Sequence, residues 1–552
     1  MKKYIRSIWL TIPVVAGLAF VSFRQDDRLF EIARNLDIYA TLFKELNAYY
    51  VDEINPNQLI KTSIDDMLRT LDPYTVYYAE DDIEDYMTMT TGKYNGIGAM
   101  VSSSDGKHTV MMVYEDTPAQ KAGLQLGDEI IKINGIDLST REDFDTGRLL
   151  KGQTKTGVNL TIKRYGLTKP LEISLNRDIV KVTNVPYYGM LTEEVGYIDL
   201  KDFTGTASRE VQNAFQELKG KGMKYVVLDL RDNPGGLLNM AIEISNIFIP
   251  KGEEVVSTKG KVTEWNKTYT AYNPALDTEI PVVVLTNNRS ASAAEIVAGV
   301  VQDYDRGVLI GQRTYGKGLV QTTRDLSFNT KMKITTAKYY IPSGRCIQAI
   351  DYSHRNDDGS VGKIADSLMT AFKTRNGRTV YDGGGILPDI VTEKETYSPL
   401  ATSLGRNRLF FDYAVKYRFE HPSIKPAKEF HLTDAEYGAF VKWLSGKEYD
   451  YTTQVEKDLK DLEASAKKEK SLDIIDDQLK ALKAKLSHSK DNDLQISKSE
   501  IKKILEEEII KHYYLEKGMR EASFAEDTEV KAALALFKDT NRYNELLKGK
   551  KN

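Results

Sequence analysis

One cysteine, Cys346, in 552 residues leaves no intrachain disulfide and no cysteine-based metal cluster to consider. Histidine is almost as scarce: His108, His354, His421, His431, His488 and His512 are scattered, and none falls in a His-Glu-x-x-His pattern. The Walker pattern and Gly-x-Gly-x-x-Gly are both missing, so neither a P-loop nor a dinucleotide fingerprint is present. Charge of one sign is also lacking. A formal net charge of -4 provides no field for nucleic acid or an anionic membrane surface. No nucleic-acid partner, metal or cofactor is therefore expected. What remains is ordinary soluble-protein composition, 41% hydrophobic and 28% charged, in a chain long enough for three or four domains.

The N-terminus departs from that background. Lys2, Lys3 and Arg6 precede an uncharged stretch from Ser7 to Phe23, closed by Arg24, Asp26 and Asp27. A basic start before an apolar run reads as an export signal over residues 1–24, and its length also reaches the lower limit for a membrane anchor. Both fates fit. The positive-inside rule then puts the body outside the cytoplasm, in the periplasm or cell envelope.

Residues 25–90 carry helical periodicity, with a turn at Leu71-Asp72-Pro73-Tyr74. Residues 91–177 switch to short strand-like runs, with Asn134-Gly135 as a hairpin turn and Pro118 opening a short helix ended by Gly123. Residues 178–395 repeat a strand–turn–helix grammar. Tyr225–Leu230, a Gly-rich turn and Leu237–Phe248 form one unit; Pro281–Leu285, a turn and Ala291–Asp303 form the next. This implies an α/β domain with a parallel-rich sheet whose strand ends carry the site. Residues 396–552 are Lys/Glu-rich and helical, with Leu472, Ile475, Leu479, Leu482 and Leu486 on one face and Ser497/Glu500 as a capping box. An oligomerisation or docking arm and helices packed on the body both suit that segment.

Three segments hold residue types with chemistry. In Ser290-Ala291-Ser292-Ala293-Ala294-Glu295 a serine stands at a helix start, where unpaired N–H groups and the helix dipole favour a nascent anion. Taken alone, such a serine is usually a cap. No histidine lies between His108 and His354. A Ser-His-Asp triad could still assemble from afar, though nothing marks any of the six for it. Lysine is the alternative, with Lys317 set between Gly316 and Gly318. If residues 317–321 form a strand, Lys317 and Gln321 point to one face. By itself Gly-Lys-Gly is more often a surface turn. Asp229–Gly236 ends a strand in Asn-Pro-Gly-Gly, whose unobstructed N–H groups suit an oxyanion.

In this order, together with Tyr339–Gln348, Gly385–Ile390, Leu71–Tyr74 and Gly92–Gly98, these segments resemble the tail-specific, or C-terminal processing, serine peptidases over about residues 30–395. The resemblance implies Ser292 as nucleophile, Lys317 as base and Gln321 completing a Ser-Lys-Gln arrangement. Gly235 or Gly236, with Ala293, would hold the oxyanion. It further implies a crotonase/Clp-peptidase-like ββα core, with residues 91–177 an inserted PDZ domain whose Gly96-Ile97-Gly98-Ala99 loop captures a substrate C-terminus while the peptide adds as a strand. Substrates would be exported proteins with free C-termini. A membrane tether and a homo-oligomer are open. The rival readings are an inactive PDZ scaffold of the cell envelope and acyl-CoA chemistry on a crotonase fold.

Overall fold

A computed structural model describes residues 28–139, 143–356, 359–486 and 490–549. The expected export segment, residues 1–24, lies outside the described residues. Among those described, no helix is long and apolar enough to cross a membrane. The described residues divide into two compact units, one of residues 28–79 with Arg324–Lys333, the other of the remainder.

In the first unit residues 28–49 are helical and leave Leu29, Phe30, Leu36 and Leu42 exposed. A second helix, Pro56–Arg69, starts where the Asn55 side chain accepts from the N–H groups of Asn57 and Gln58. The turn read at Leu71–Tyr74 is made by Asp72, which accepts from the N–H groups of Tyr74 and Thr75. Strand Val76–Tyr78 pairs antiparallel with Lys331–Lys333.

The second unit is mixed α/β. Its centre is a six-stranded sheet in the order Tyr187–Met190, Val195–Asp199, Tyr225–Asp229, Val282–Thr286, Gly307–Gly311, Ile390–Val391. The first pair is antiparallel and every later pair is parallel. Its inner strands are buried on both sides, which explains runs such as Val-Val-Val-Leu-Thr in place of alternation. One face packs on helices Ala207–Gly220, Leu238–Ser245 and Ala293–Asp303, beyond which lie strand Glu254–Gly260 and its partner residues Ala337 to Tyr340. The other face, with Tyr197, Val227, Val283, Leu285, Val308 and Ile310, is covered by Val530, Ala533, Leu536, Phe537 and Tyr543 of helices Thr528–Lys538 and Thr540–Leu547. The charged C-terminal region thus supplies a layer of the α/β core. Each buried Val or Leu in that layer is worth about 1.5–3 kcal/mol.

The β-rich module is tied at its neck, where Lys93–Gly96 pairs with Asp178–Lys181. Its sheet runs Ala99–Ser104, Lys107–Val113, Glu129–Ile133, Gly157–Lys163, Leu171–Asn176. The hairpin at Asn134-Gly135 forms as expected, both residues having positive φ. A C-terminal helix, Leu409–Glu420, closes the module: Phe411 enters its core beside Ile97, Val110, Ile130 and Leu160, and Phe419 stacks edge-on against Tyr165.

The remaining C-terminal helices build their own core from Leu404, Phe410, Tyr437, Phe440, Ile501, Leu505 and Ile509. One detail differs from the sequence reading. Helix Lys498–Ser523 starts after Ser497, but Ser497 makes no side-chain cap; Glu500 instead accepts at 2.7 Å from the N–H of Ser398. A tertiary partner has taken the carboxylate that a capping box would use.

Candidate active site

The site forms where the central strands end. After Tyr225–Asp229 the chain turns through Asp232, at φ 61°, to Asn233, which is fully buried. The Asn233 amide donates to Leu200 O at 2.7 Å, its Oδ1 accepts from the Gly235 N–H at 2.8 Å, and its carbonyl accepts from the Ala291 N–H. One residue so fixes both, the glycine turn with its side chain and the segment before Ser292 with its backbone carbonyl. A Cβ on Gly235, at φ 95°, would lie 2.6 Å from Ala291 O and 2.8 Å from Ala293 N, so only glycine permits this approach. The sequence left both glycines as donors. The Gly235 N–H is already spent on Asn233, whereas those of Gly236 and Ala293 have no protein acceptor among the described residues.

The two serines of Ser-Ala-Ser separate clearly. Ser290 is buried, donates to Leu230 O and accepts from the Asn287 N–H, which makes it a stitch between strand ends. Ser292 is half-buried at the N-terminus of helix Ala293–Asp303, with φ 55° and ψ −114°. A non-glycine residue held there is strained, and such strain persists only where neighbours over-determine it.

Glu295 is the main neighbour. Fully buried, its carboxylate accepts from the Ser292 N–H (2.8 Å), the Lys317 N–H (2.9 Å), the Gly316 N–H (2.7 Å) and the Thr314 hydroxyl (2.5 Å). Burial pushes its carboxyl up to about 7, against these four bonds, which favour the charged form. Tyr339 makes a second bridge, its hydroxyl lying 3.2 Å from Ser292 O and 2.6 Å from Lys317 O. Burial, then Glu295, raises that phenol far above its usual range, so it remains a donor. Gly318 donates to Gln348 Oε1 at 2.7 Å, and Arg345 pins the end of the Ser292 helix through Asp303 at 2.9 Å. Residues 316–318 are therefore held by side chains and lie outside a sheet; the strand begins at Leu319. This corrects the expectation that Lys317 and Gln321 share a strand face. Gln321 donates to Thr335 Oγ1 at 3.1 Å, bracing the two strands that follow and lead to Tyr339. Glu295, Tyr339, Asn233 and Gln348 were within the segments noted in the sequence, yet their roles were missed because each acts on a residue 2 to 58 positions away.

Behind the glycine turn lies a buried charge cluster. Asp199 and Asp229 face each other on adjacent parallel strands. Burial opposes the charge on Asp229, but the Arg231 guanidinium, bonded to it at 2.6 Å, holds its carboxyl well below the usual range; burial raises Asp199 against Arg520 and Lys201.

In the β-rich module, the expected carboxylate loop precedes edge strand Ala99–Ser104, which pairs on one side only among the described residues. Gly96 closes the neck strand, and Ile97 is buried with its carbonyl accepting from Ala119. Gly98, at φ 81°, packs against Thr117, whose hydroxyl bonds Gly98 O. The N–H groups of Ile97 and Gly98 have no protein acceptor among the described residues.

A serine thus stands on a strained helix start and a lysine on a neighbouring loop, the backbone of both held by one buried carboxylate. Residues 194–353 match the model of peptidase family S41, residues 95–175 that of the PDZ domain, and residues 400–537 that of the probable PDZ-protease C-terminal helical domain. The carboxy-terminal-processing protease of Bartonella bacilliformis is 38% identical over 321 residues, covering 57% of this chain and 73% of that one. The carboxy-terminal processing protease CtpA of Bacillus subtilis is 32% identical over 306 residues, covering 55% and 65%. Among solved structures, the photosystem II D1 C-terminal processing protease is 24% identical, with a TM-score of 0.35, and covers 64% of this chain and 92% of its own. The protein is a serine peptidase. It belongs to the carboxy-terminal-processing proteases of family S41, with a PDZ domain and a helical C-terminal region.

Proposed function

We propose that this peptidase works by a Ser-Lys mechanism on exported proteins, which it engages by their free C-termini and cuts nearby. In this reading Lys317 Nζ takes the proton of Ser292 Oγ as the oxygen attacks the scissile carbonyl. The N–H groups of Gly236 and Ala293 receive the oxyanion, helped by the dipole of helix Ala293–Asp303. Lys317 returns the proton to the leaving amine, and water then releases the acyl group from Ser292. Gln321 acts at one remove, as a brace on the strands joining Lys317 to Tyr339. The layering of the α/β domain is read as crotonase/Clp-like. Export through the N-terminal segment, tethering there, and self-association are parts of the same proposal. The observation that carries the reading is the Glu295 carboxylate, which bonds the backbone of Ser292 and of Lys317 with a single oxygen. A fluorophosphonate probe should label the intact protein at Ser292 alone, as mapped by peptide mass spectrometry. Labelling at Ser290, or none in protein that cleaves substrate, would overturn it.

The Gly96–Ala99 loop is proposed to bind the substrate carboxylate, with the peptide adding to edge strand Ala99–Ser104. A terminal amide offers no charge and turns a donor toward donors. Losing one charge-assisted bond costs about 1.5–3 kcal/mol, so amidating the terminus should weaken binding about tenfold or more. Binding is measured on the full chain carrying Ser292→Ala, because Phe411 completes the PDZ core. Equal affinity for free and amidated peptides would remove this role from the loop.

A further inference from the structure

We infer that the C-terminal helical region is part of the catalytic machinery, with Asp527 and Glu529 acting as positioning residues for the oxyanion turn through Arg231. The inference rests on the reading of Gly236 as an oxyanion donor. Arg231 sits between the strand Tyr225–Asp229 and the strained Asp232, two residues before Asn233. Its guanidinium has two sides. Toward the sheet, Nε and Nη2 bond Asp229 at 3.0 and 2.6 Å; toward the C-terminal region, Nη2 and Nη1 bond Asp527 at 2.7 and 3.0 Å, and Nη1 bonds Glu529 at 3.2 Å.

The two acids are themselves held. Asp527 caps helix Thr528–Lys538 by accepting from the Val530 N–H at 2.9 Å. The other oxygen of Glu529 accepts from Gln312 at 2.8 Å and Thr392 at 2.7 Å, side chains that follow two neighbouring strands of the central sheet. Asp527 and Glu529 thus face Arg231 from a helix whose apolar side is packed on the sheet. Around Arg231 the side chains are nearly dry, 13% exposed against 0%, 9% and 12% for Asp229, Asp527 and Glu529. At such burial a bidentate pair fixes orientation and its loss leaves a buried charge short of partners. With the outer pair gone, Arg231 is anchored from one side only, and the Asp232–Gly236 turn loses its back wall. The Gly236 N–H then drifts from the place the oxyanion needs, an error that chemistry feels more than binding does.

The test uses the full chain and an unfolded substrate with a free C-terminus. Asp527→Asn/Glu529→Gln keeps shape and removes charge; kcat should fall by about 10- to 100-fold. KM and the affinity of the PDZ domain for a C-terminal peptide should stay within about twofold. A kcat within about twofold of wild type overturns the inference, as does a KM that rises in step with the loss. Should the double variant not fold, Glu529→Gln decides alone: a lower kcat at constant KM supports the clamp, and an unchanged kcat removes it. Asn233→Ala separates the two layers of argument. If it is inactive while the C-terminal variants are fully active, only the clamp falls. If Asn233→Ala is fully active, the oxyanion reading falls and takes the clamp with it.

Discussion

Lys317→Ala should lower kcat by about 10⁴-fold or more while the protein melts as before. The two halves of that expectation have separate causes. Everything that Glu295 and Tyr339 hold at this position is backbone, the Lys317 N–H and carbonyl, so truncating the side chain leaves both bonds in place. What is lost is the amine to which the proposed mechanism assigns the Ser292 proton. Lys317→Arg should be as inactive as the alanine variant, because a guanidinium stays protonated and cannot serve as a base. Ser292→Ala should be equally inactive, and the double variant no worse than either single, since nucleophile and base act as one unit. Steady-state cleavage with thermal melting decides the matter; activity within about tenfold of wild type in Lys317→Arg would rule out the lysine as base.

Glu295→Ala is expected to damage activity and stability together. Removing the carboxylate strands four donors, three N–H groups and a hydroxyl, in a fully buried place. Each unpaired donor costs about 1–3 kcal/mol; with partial relaxation the loss should be about 4 kcal/mol. Freed from their common anchor, Ser292 and Lys317 separate, and misplacement of about 1 Å costs about 100-fold in rate. The titration of the group adds a second signature. With its folded pKa raised to about 7 from 4.5, Glu295 holds a proton in the folded state that the unfolded chain releases. Its contribution is fully present below pH 4.5 and is lost as pH rises through about 7, a swing of about 3 kcal/mol. Glu295→Gln cannot titrate. The stability gap between wild type and Glu295→Gln should therefore shrink from pH 4.5 to 7.5 in denaturant unfolding, and a constant gap would contradict the assignment.

Much of the architecture was legible because it is local. The strand–turn–helix units at Tyr225 and Val282, the Asn134-Gly135 hairpin and the Pro118 helix follow from periodicity and turn chemistry, and all formed within a few residues of where the sequence puts them. Ser292 and Lys317 could be noticed as residue types, but the family resemblance, not spacing, separated Ser292 from Ser290. Periodicity carries no sign that Ser290 is walled in by Leu230 and Asn287. Glu295 was hidden for the opposite reason. At the third position of a helix it passes for a local cap, and its second oxygen serves Thr314 and Gly316 about twenty residues on. The same carboxylate defeated the expectation of a strand at 317–321 by drawing two N–H groups out of any ladder. Asp527 and Glu529 stand almost 300 residues from Arg231, beyond the reach of any pattern.

The order in which the layers leave the ribosome has its own consequence. Ser292, Lys317 and every strand of the central sheet are synthesised by Val391, but Val530, Ala533, Leu536 and Phe537, which cover the far side of that sheet, come about 140 residues later. At about 5–20 residues per second, the sheet waits many seconds with one apolar side bare. Until those helices are made, the growing chain has Ser292 synthesised and the far side of its sheet uncovered. By the inference drawn through Arg231, making helices Thr528–Lys538 and Thr540–Leu547 and assembling the cutting site become a single event.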